Sequence, residues 1–309
     1  MTPFRFAVQL SSAPSAAAWS EIARKIEDLG YSTLYMPDHF DDQLAPMVGL
    51  TAAACVTTTL NVGTLVLDND YRHPVVLAKE AATLDLLSEG RFELGLGAGW
   101  MTSDYESSGI ALDPPGVRVD RLAESLEVLR QLFTEGRATF HGAHYSIEGS
   151  TLTPTPFRPG GPPLVLGGGS PRVLTLAGAV ADIVSVVPSL RSGAIGQEMA
   201  KGATPASYDA RMAWIAEGAA GRATPPELQC WTVFTSITED APSLYEQFSS
   251  LFGLSVDEVI ESPLGVAGTV SSVVEQLEAR RERWGFSYLV IHEPELEAFA
   301  PVVAALSGR

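Results

Sequence analysis

Eight short, β-rich apolar runs alternate with stretches of helical period along nearly the whole chain, and this alternation limits the fold more than any single residue does. The runs lie at about 4–10, 33–37, 60–67, 92–97, 164–167, 183–188, 228–237 and 287–292. Between them helical period is read at about 15–29, 46–57, 75–88, 117–134, 171–180, 205–219, 241–252 and 269–284, with a last stretch near 295–306. Several boundaries carry their own chemistry. Gly30 follows the first helix, Pro74 opens the third, and Gly90 closes it. Strands that alternate with helices throughout call for a parallel sheet, either doubly wound and open or closed into a barrel. Eight repeats in 309 residues favour an α/β fold of the (β/α)8 TIM-barrel type, expected as one domain over 1–309. Loop insertions are expected where the repeat is exceeded. Residues 135–163 alternate like a hairpin before a Pro/Gly-rich approach to strand five, 189–227 are rich in Ala, Gly and Pro, and 238–268 are long.

Composition narrows the function classes. The chain is 46% hydrophobic and 18% charged, with neither a run of apolar residues long enough to span a bilayer nor a basic-then-apolar start, so a cytoplasmic location without membrane contact is expected. A net charge of −17 argues against nucleic acid as a partner, because such binding needs a positive face to release counterions. Only Cys55 and Cys230 occur, each in an apolar segment, which leaves no disulfide framework and no cysteine metal site. His141 and His144 sit in a Gly-flanked hairpin without an acidic partner at ligand spacing. They are read as structural, Asp68 and Asp70 make only a weak pair of metal carboxylates, and no metal is expected.

In a (β/α)8 barrel function belongs at the C-terminal strand ends. That reading selects Gln9, Asp38-His39, Asp68-Asn69-Asp70, Gly97, Gly99, Trp100, Pro188-Ser189, Thr235-Ser236 and His292-Glu293. Asp38-His39 is the most reactive-looking pair, His39 suited to proton transfer near neutrality and the neighbouring carboxylate able to orient it. The alternative is a helix cap beside a packed loop histidine. After strand five comes Gly167-Gly168-Gly169-Ser170-Pro171-Arg172, which joins a short apolar strand to a helix. Glycines free to take positive φ, an N-cap serine and a proline at the first helical position make this an anion socket, or else a tight turn with no ligand. A phosphate there would gain about 0.3–2 kcal/mol from the helix dipole before hydrogen bonds are counted. A G-x-S-x-G elbow, a Walker A sequence and a G-x-G-x-x-G after strand one are all missing, which removes support for hydrolase, kinase and Rossmann readings.

The chain resembles the bacterial luciferase-like family of (β/α)8 flavin and deazaflavin oxidoreductases. The resemblance runs through Ala7-Val8-Gln9, Leu29-Gly30-Tyr31, Pro37-Asp38-His39-Phe40, Arg72-His73-Pro74 and the helix-to-strand stretch ending at Trp100. It continues through Pro114-Pro115-Gly116-Val117-Arg118, Arg121-Leu122 and Pro163-Leu164-Val165-Leu166-Gly167-Gly168-Gly169. It is strongest to the subset using coenzyme F-420, a 5-deazaflavin. What it implies is an oxidoreductase that moves a hydride between that cofactor and a small organic substrate. An FMN-dependent two-component monooxygenase and a non-catalytic ligand-binding barrel are the alternatives.

The resemblance also implies residue roles. His39, with Asp38, would serve proton transfer beside the ring. A non-proline cis peptide near Leu65-Val66 would support one ring face, with Asp68, Gly97 and Gly99 close by in the cofactor set. Gly167, Gly168, Gly169, Ser170 and Arg172 would hold the phosphate. Gln9, Trp100 and His292 would face substrate, Trp100 standing where several deazaflavin relatives carry an acid. A homodimer through the apolar stretches near 46–57 and 75–87 is implied as well, and a flavin or deazaflavin reductase as supplier of reduced cofactor.

Overall fold

A computed structural model of the chain describes residues 2–309. These fall into two compact units: residues up to Leu10 with Lys25–Leu34 and Gly167–Arg309, and Ser11–Arg24 with Tyr35–Leu166.

The first unit holds β1 (Arg5–Gln9), the start of β2 (Thr33–Met36), the end of β5 (Leu164–Gly168), β6 (Ile183–Val186), β7 (Glu227–Trp231) and β8 (Phe286–His292). β1 runs parallel to β8 with Arg5 opposite Tyr288 and Gln9 opposite His292. β8 pairs in turn with β7, and β7 with β6. All of β8 except His292 is buried, the continuous apolar reading of a strand covered on both faces. The charged end of the sheet is neutralised in place, Arg5 lying 3.6 Å over the Tyr288 ring and pairing with Glu227.

The second unit carries the end of β2, β3 (Asn61–Thr64) with its short continuation Leu67–Asp68, β4 (Phe92–Gly97) and the start of β5. Val62 pairs with Phe92, Asp68 with Gly97, and Leu94 with Leu164, all parallel. Over the sheet as a whole the strand order is β3-β2-β1-β8-β7-β6-β5-β4, and β4 pairs again with β3. Eight parallel strands whose order returns on itself, with helices between them, make a (β/α)8 barrel.

The helices include α1 (Ala16–Asp28), α2 (Pro46–Ala54), α3 (Pro74–Leu87), α4 (Thr102–Ser108), α5 (Pro115–Glu135), α6 (Pro171–Val180), α7 (Pro205–Gly218), α8 (Val270–Trp284) and α9 (Leu296–Leu306), with further helices at Gln197–Ala200, Ala241–Phe252 and Val256–Glu261. Their ends follow local chemistry. Proline stands in the first turn of α2, α3, α5, α6 and α7, and glycines at positive φ close α4, α5 and α8. α6 and α7 approach closely because each brings a glycine to the contact. A Cβ at Gly178 would lie 2.2 Å from the Ile215 carbonyl oxygen, and one at Gly218 would lie 1.9 Å from that of Thr175.

Residues 137–151 form an antiparallel hairpin whose tip is tied to α5, the Glu124 carboxylate accepting the backbone N–H groups of Ala143, His144 and Tyr145. The seventh run, read as one strand over 228–237, is two. β7 stops at Trp231, and Phe234–Ile237 pairs separately with Gly265–Gly268. The break is at Thr232-Val233, where the Thr232 N–H and hydroxyl both turn onto the Val290 carbonyl and the Val233 N–H onto that of Leu264. Hydropathy continues across this bend, so period alone does not reveal it.

Candidate active site

In the second unit the ends of β2, β3 and β4 bring together a connected set of carboxylates, arginines and tyrosines. Asp38, at the end of β2, accepts from both ends of the Arg72 guanidinium, with Arg72 Nη2 3.0 Å from Oδ1, and from the Asp68 N–H at 3.0 Å. Burial lowers the basicity of Arg72, but the hydrogen bond and charge of Asp38 outweigh it and leave the guanidinium above its ordinary range. Asp38 is thus occupied by Arg72 and the strand. It is not the carboxylate that orients His39.

That carboxylate is Asp104, on α4. Its Oδ2 lies 2.7 Å from His39 Nδ1 and its Oδ1 accepts the Phe40 N–H at 3.3 Å. A carboxylate only accepts, so the ring proton sits on Nδ1 and Nε2 is left as the nitrogen for proton exchange. The Trp100 ring meets the imidazole edge-on at 5.5 Å and fixes its tilt. Asp38 and His39, neighbours in the chain, thus have different partners.

Asp68 closes the continuation of β3. Its Oδ1 accepts the Asp70 N–H at 2.9 Å and its Oδ2 lies 2.8 Å from the Tyr105 hydroxyl, which is also 3.0 Å from Asp70 Oδ2. A phenol has one hydrogen and serves one of these acceptors; the other contact becomes a hydrogen bond only when a carboxyl carries a proton. Arg121 holds Asp70 at 2.7 Å and also pairs with Asp113. Burial pushes Asp68 up to about 6 against the pull of the Asp70 N–H and the Tyr105 hydroxyl. Asp68 can therefore carry such a proton. Gly99 makes the contact possible: it sits at φ +75°, and a Cβ there would fall 1.9 Å from the Tyr105 hydroxyl and 2.5 Å from Asp68 Oδ2. Arg118 fastens the same loop by donating to the Ala98 carbonyl at 3.1 Å and to that of Gly99. Just upstream, the Leu65–Val66 peptide is cis and Thr64 Oγ1 bridges the N–H and carbonyl of Gly95.

In the first unit the residue set is different. Gln9 Oε1 accepts from Trp231 Nε1 at 2.8 Å, and the Trp231 and His292 rings meet edge to face at 5.4 Å. His292 Nε2 is 2.8 Å from the Thr232 carbonyl, which can only accept, so Nε2 carries the hydrogen. Burial lowers the basicity of His292 although that hydrogen bond opposes it, and the ring is the neutral tautomer with Nδ1 as acceptor.

The glycine run ends β5 and opens α6 as its residues suggest, with Ser170 at the N-cap and Pro171 next. Its glycines have another reason. None of Gly167, Gly168 and Gly169 takes positive φ. A Cβ at Gly168 would meet Val173 Cγ1 at 2.4 Å, and one at Gly169 would meet the Val187 carbonyl oxygen at 2.3 Å. Close packing, not left-handed backbone, demands glycine at 168 and 169. The Ser170 hydroxyl makes no capping bond, α6 has no acid in its first turn, and Arg172 is exposed there. The α6 N-terminus therefore offers donors without an acceptor of its own side chains.

Asp104 and Tyr105 are not legible in the sequence, because the seven residues of α4 are too few to establish a helical period. Arg72, Arg118 and Arg121 stand within motifs of the sequence, which do not reveal the groups they pair with. Among the described residues no group of three or more His, Cys, Asp or Glu is disposed to hold a metal, and no helix is long and apolar enough to cross a membrane.

A (β/α)8 barrel with an oriented histidine at a strand end is the class that fold and site define. A sequence profile described as luciferase-like monooxygenase matches residues 1–224, and the chain belongs to that family. It is 34% identical over 182 residues to an uncharacterised protein of Mycobacterium bovis, covering 52% of this chain and 62% of that one, so the chain matches less than two thirds of that relative's length. An F420-dependent glucose-6-phosphate dehydrogenase of Kineococcus radiotolerans is 25% identical over 299 residues, 89% of this chain and 86% of the relative. The solved coenzyme F420 dependent tetrahydromethanopterin reductase of Methanopyrus kandleri superposes with a TM-score of 0.79 at 18% identity, covering 99% of this chain and 100% of that one. This last likeness shows the fold.

Proposed function

We propose that the chain is an oxidoreductase that works with coenzyme F-420, moving a hydride between the deazaflavin and a small organic molecule. The observation that carries this reading is the His39–Asp104 pair, an imidazole with one nitrogen fixed by a buried carboxylate and the other free for a proton. The choice of deazaflavin over FMN rests on the dehydrogenase from Kineococcus radiotolerans.

The donors at the β5–α6 turn suit an oxyanion. The uncapped α6 N-terminus, the Ser170 hydroxyl and the exposed Arg172 are the groups assigned to a cofactor phosphate. Leu65 and Val66, with Gly97, Gly99 and the protonatable Asp68, are assigned to the ring. When bound, a reduced deazaflavin supplies the hydride. His39 Nε2 gives or takes the accompanying proton, and Asp104 holds the ring and stabilises it when it is charged. Trp100 excludes water from the imidazole edge, and neutral His292 and Gln9 orient substrate by hydrogen bonds. Asp38 is assigned to holding Arg72 and the β3 continuation instead of the reaction.

We further read the chain as one catalytic domain, active in the cytoplasm as a homodimer, with a separate reductase supplying reduced cofactor. His39→Ala tests the catalytic assignment. It is expected to lower kcat with F-420 by about a hundredfold or more while leaving cofactor affinity within about threefold. Unchanged kcat would remove His39 from the reaction.

A further inference from the structure

A second feature of the first unit has no part in the proposed reaction. Arg211, on α7, is only 4% exposed, and its Nε and Nη1 are sealed from solvent with no hydrogen-bond partner. Its one close partner is the Tyr208 ring, 5.1 Å away and one helical turn earlier. The Tyr208 hydroxyl is itself fully buried and unpartnered. The ionisable groups that face Tyr208 are Arg211, Arg280 from α8 and Cys230 from β7, with no carboxylate among them. Arg280 spends one nitrogen on the Ile260 and Gly265 carbonyls and leaves Nη1 unpaired. In a chain of net charge −17, this is a buried patch where three guanidinium nitrogens, Arg211 Nε and Nη1 and Arg280 Nη1, lack an acceptor.

An uncompensated guanidinium in the interior is strongly disfavoured, and a structure that keeps one needs an anion from elsewhere. The position of the free end indicates where that anion arrives. Arg211 Nη2 lies 3.4 Å from where a Cβ of Gly202 would stand, so the bare glycine leaves that nitrogen uncovered. Pro188 Cβ lies 3.9 Å from the same point, and the Pro188 carbonyl carbon is 2.6 Å from the Cβ position of Gly169. Arg211 thus stands behind the residues leaving β6 that pack on the β5–α6 turn.

We propose that Arg211 is an anion-binding residue that takes an oxyanion, a phosphate or carboxylate group, at Nη2. The oxyanion belongs either to the acidic arm of a ligand held at the α6 N-terminus or to a free inorganic ion. The proposal does not depend on the deazaflavin reading, because its probe is inorganic phosphate. Thermal unfolding of the full chain is followed against phosphate concentration at constant ionic strength set with potassium chloride. The wild type is expected to gain Tm with phosphate. Arg211→Met is expected to bind phosphate at least about tenfold more weakly, while folding normally without it. Arg211→Gln gives the same comparison should the Met variant fail to fold. Displacement of phosphate by FMN but not by riboflavin assigns the oxyanion to a ligand arm. Phosphate that FMN leaves in place assigns it to a free ion. No phosphate effect in the wild type, or an equal effect in the wild type and both variants, overturns the proposal.

Discussion

Asp38 and Asp104 are two buried carboxylates near one imidazole, and the structure gives them separate work. Asp104 holds His39 Nδ1, so Asp104→Asn is expected to lower kcat by about tenfold to a thousandfold with thermal stability nearly unchanged. Asp38 neutralises Arg72, so Asp38→Asn is expected to destabilise the fold by about 3 kcal/mol in urea unfolding. A variant pair with these effects exchanged would reverse the two assignments. The sequence displays Asp38 beside His39 and conceals Asp104, because chain neighbours are visible without a fold and spatial neighbours are not. Arg72, Arg118 and Arg121 stood in recognisable motifs, but their partners across the unit were invisible.

Asp68 makes a prediction about pH at the same scale. Its folded pKa, about 6, is above the ordinary value, so the native state holds the proton more tightly than the unfolded chain does. Its contribution is greatest below the unfolded pKa, declines as pH rises from about 4 through about 6, and is flat above. A shift of this size corresponds to about 3 kcal/mol. Asp68→Asn, whose amide oxygen still accepts the Asp70 N–H, is expected to remove this slope from unfolding free energies measured between pH 4 and 8. Parallel profiles for the two proteins would place the titrating group elsewhere.

At the scale of elements, the strand–helix alternation was legible because each βα unit carries its own period and its own stop signals. What was not legible was local pairing. The run 228–237 is apolar throughout, yet its second half leaves β7 at Thr232 for a partner at Gly265–Gly268. α4 is hidden in the sequence because it is only seven residues, too short to establish a period. The glycine run is visible in the sequence, but its reason, close packing at 168 and 169, is not. Packing of Gly168 against Val173 predicts that Gly168→Ala costs about 1–3 kcal/mol, and that adding Val173→Ala recovers most of the loss. A double variant no more stable than Gly168→Ala alone would show that the glycine is not there for Val173.

At the scale of the molecule, the barrel and the family are legible in the sequence because they follow from features spread over the whole chain, the strand–helix alternation and the motifs along it. The ring that fills the site is not, since a phosphate socket accepts any ligand with the right arm. The central claim is use of a deazaflavin, and titration of the protein with oxidised F-420 and with FMN, followed by quenching of tryptophan fluorescence, tests it most directly. Saturable micromolar binding of F-420, with FMN at least about tenfold weaker, is the predicted result. Tight binding of FMN with none of F-420 would contradict it.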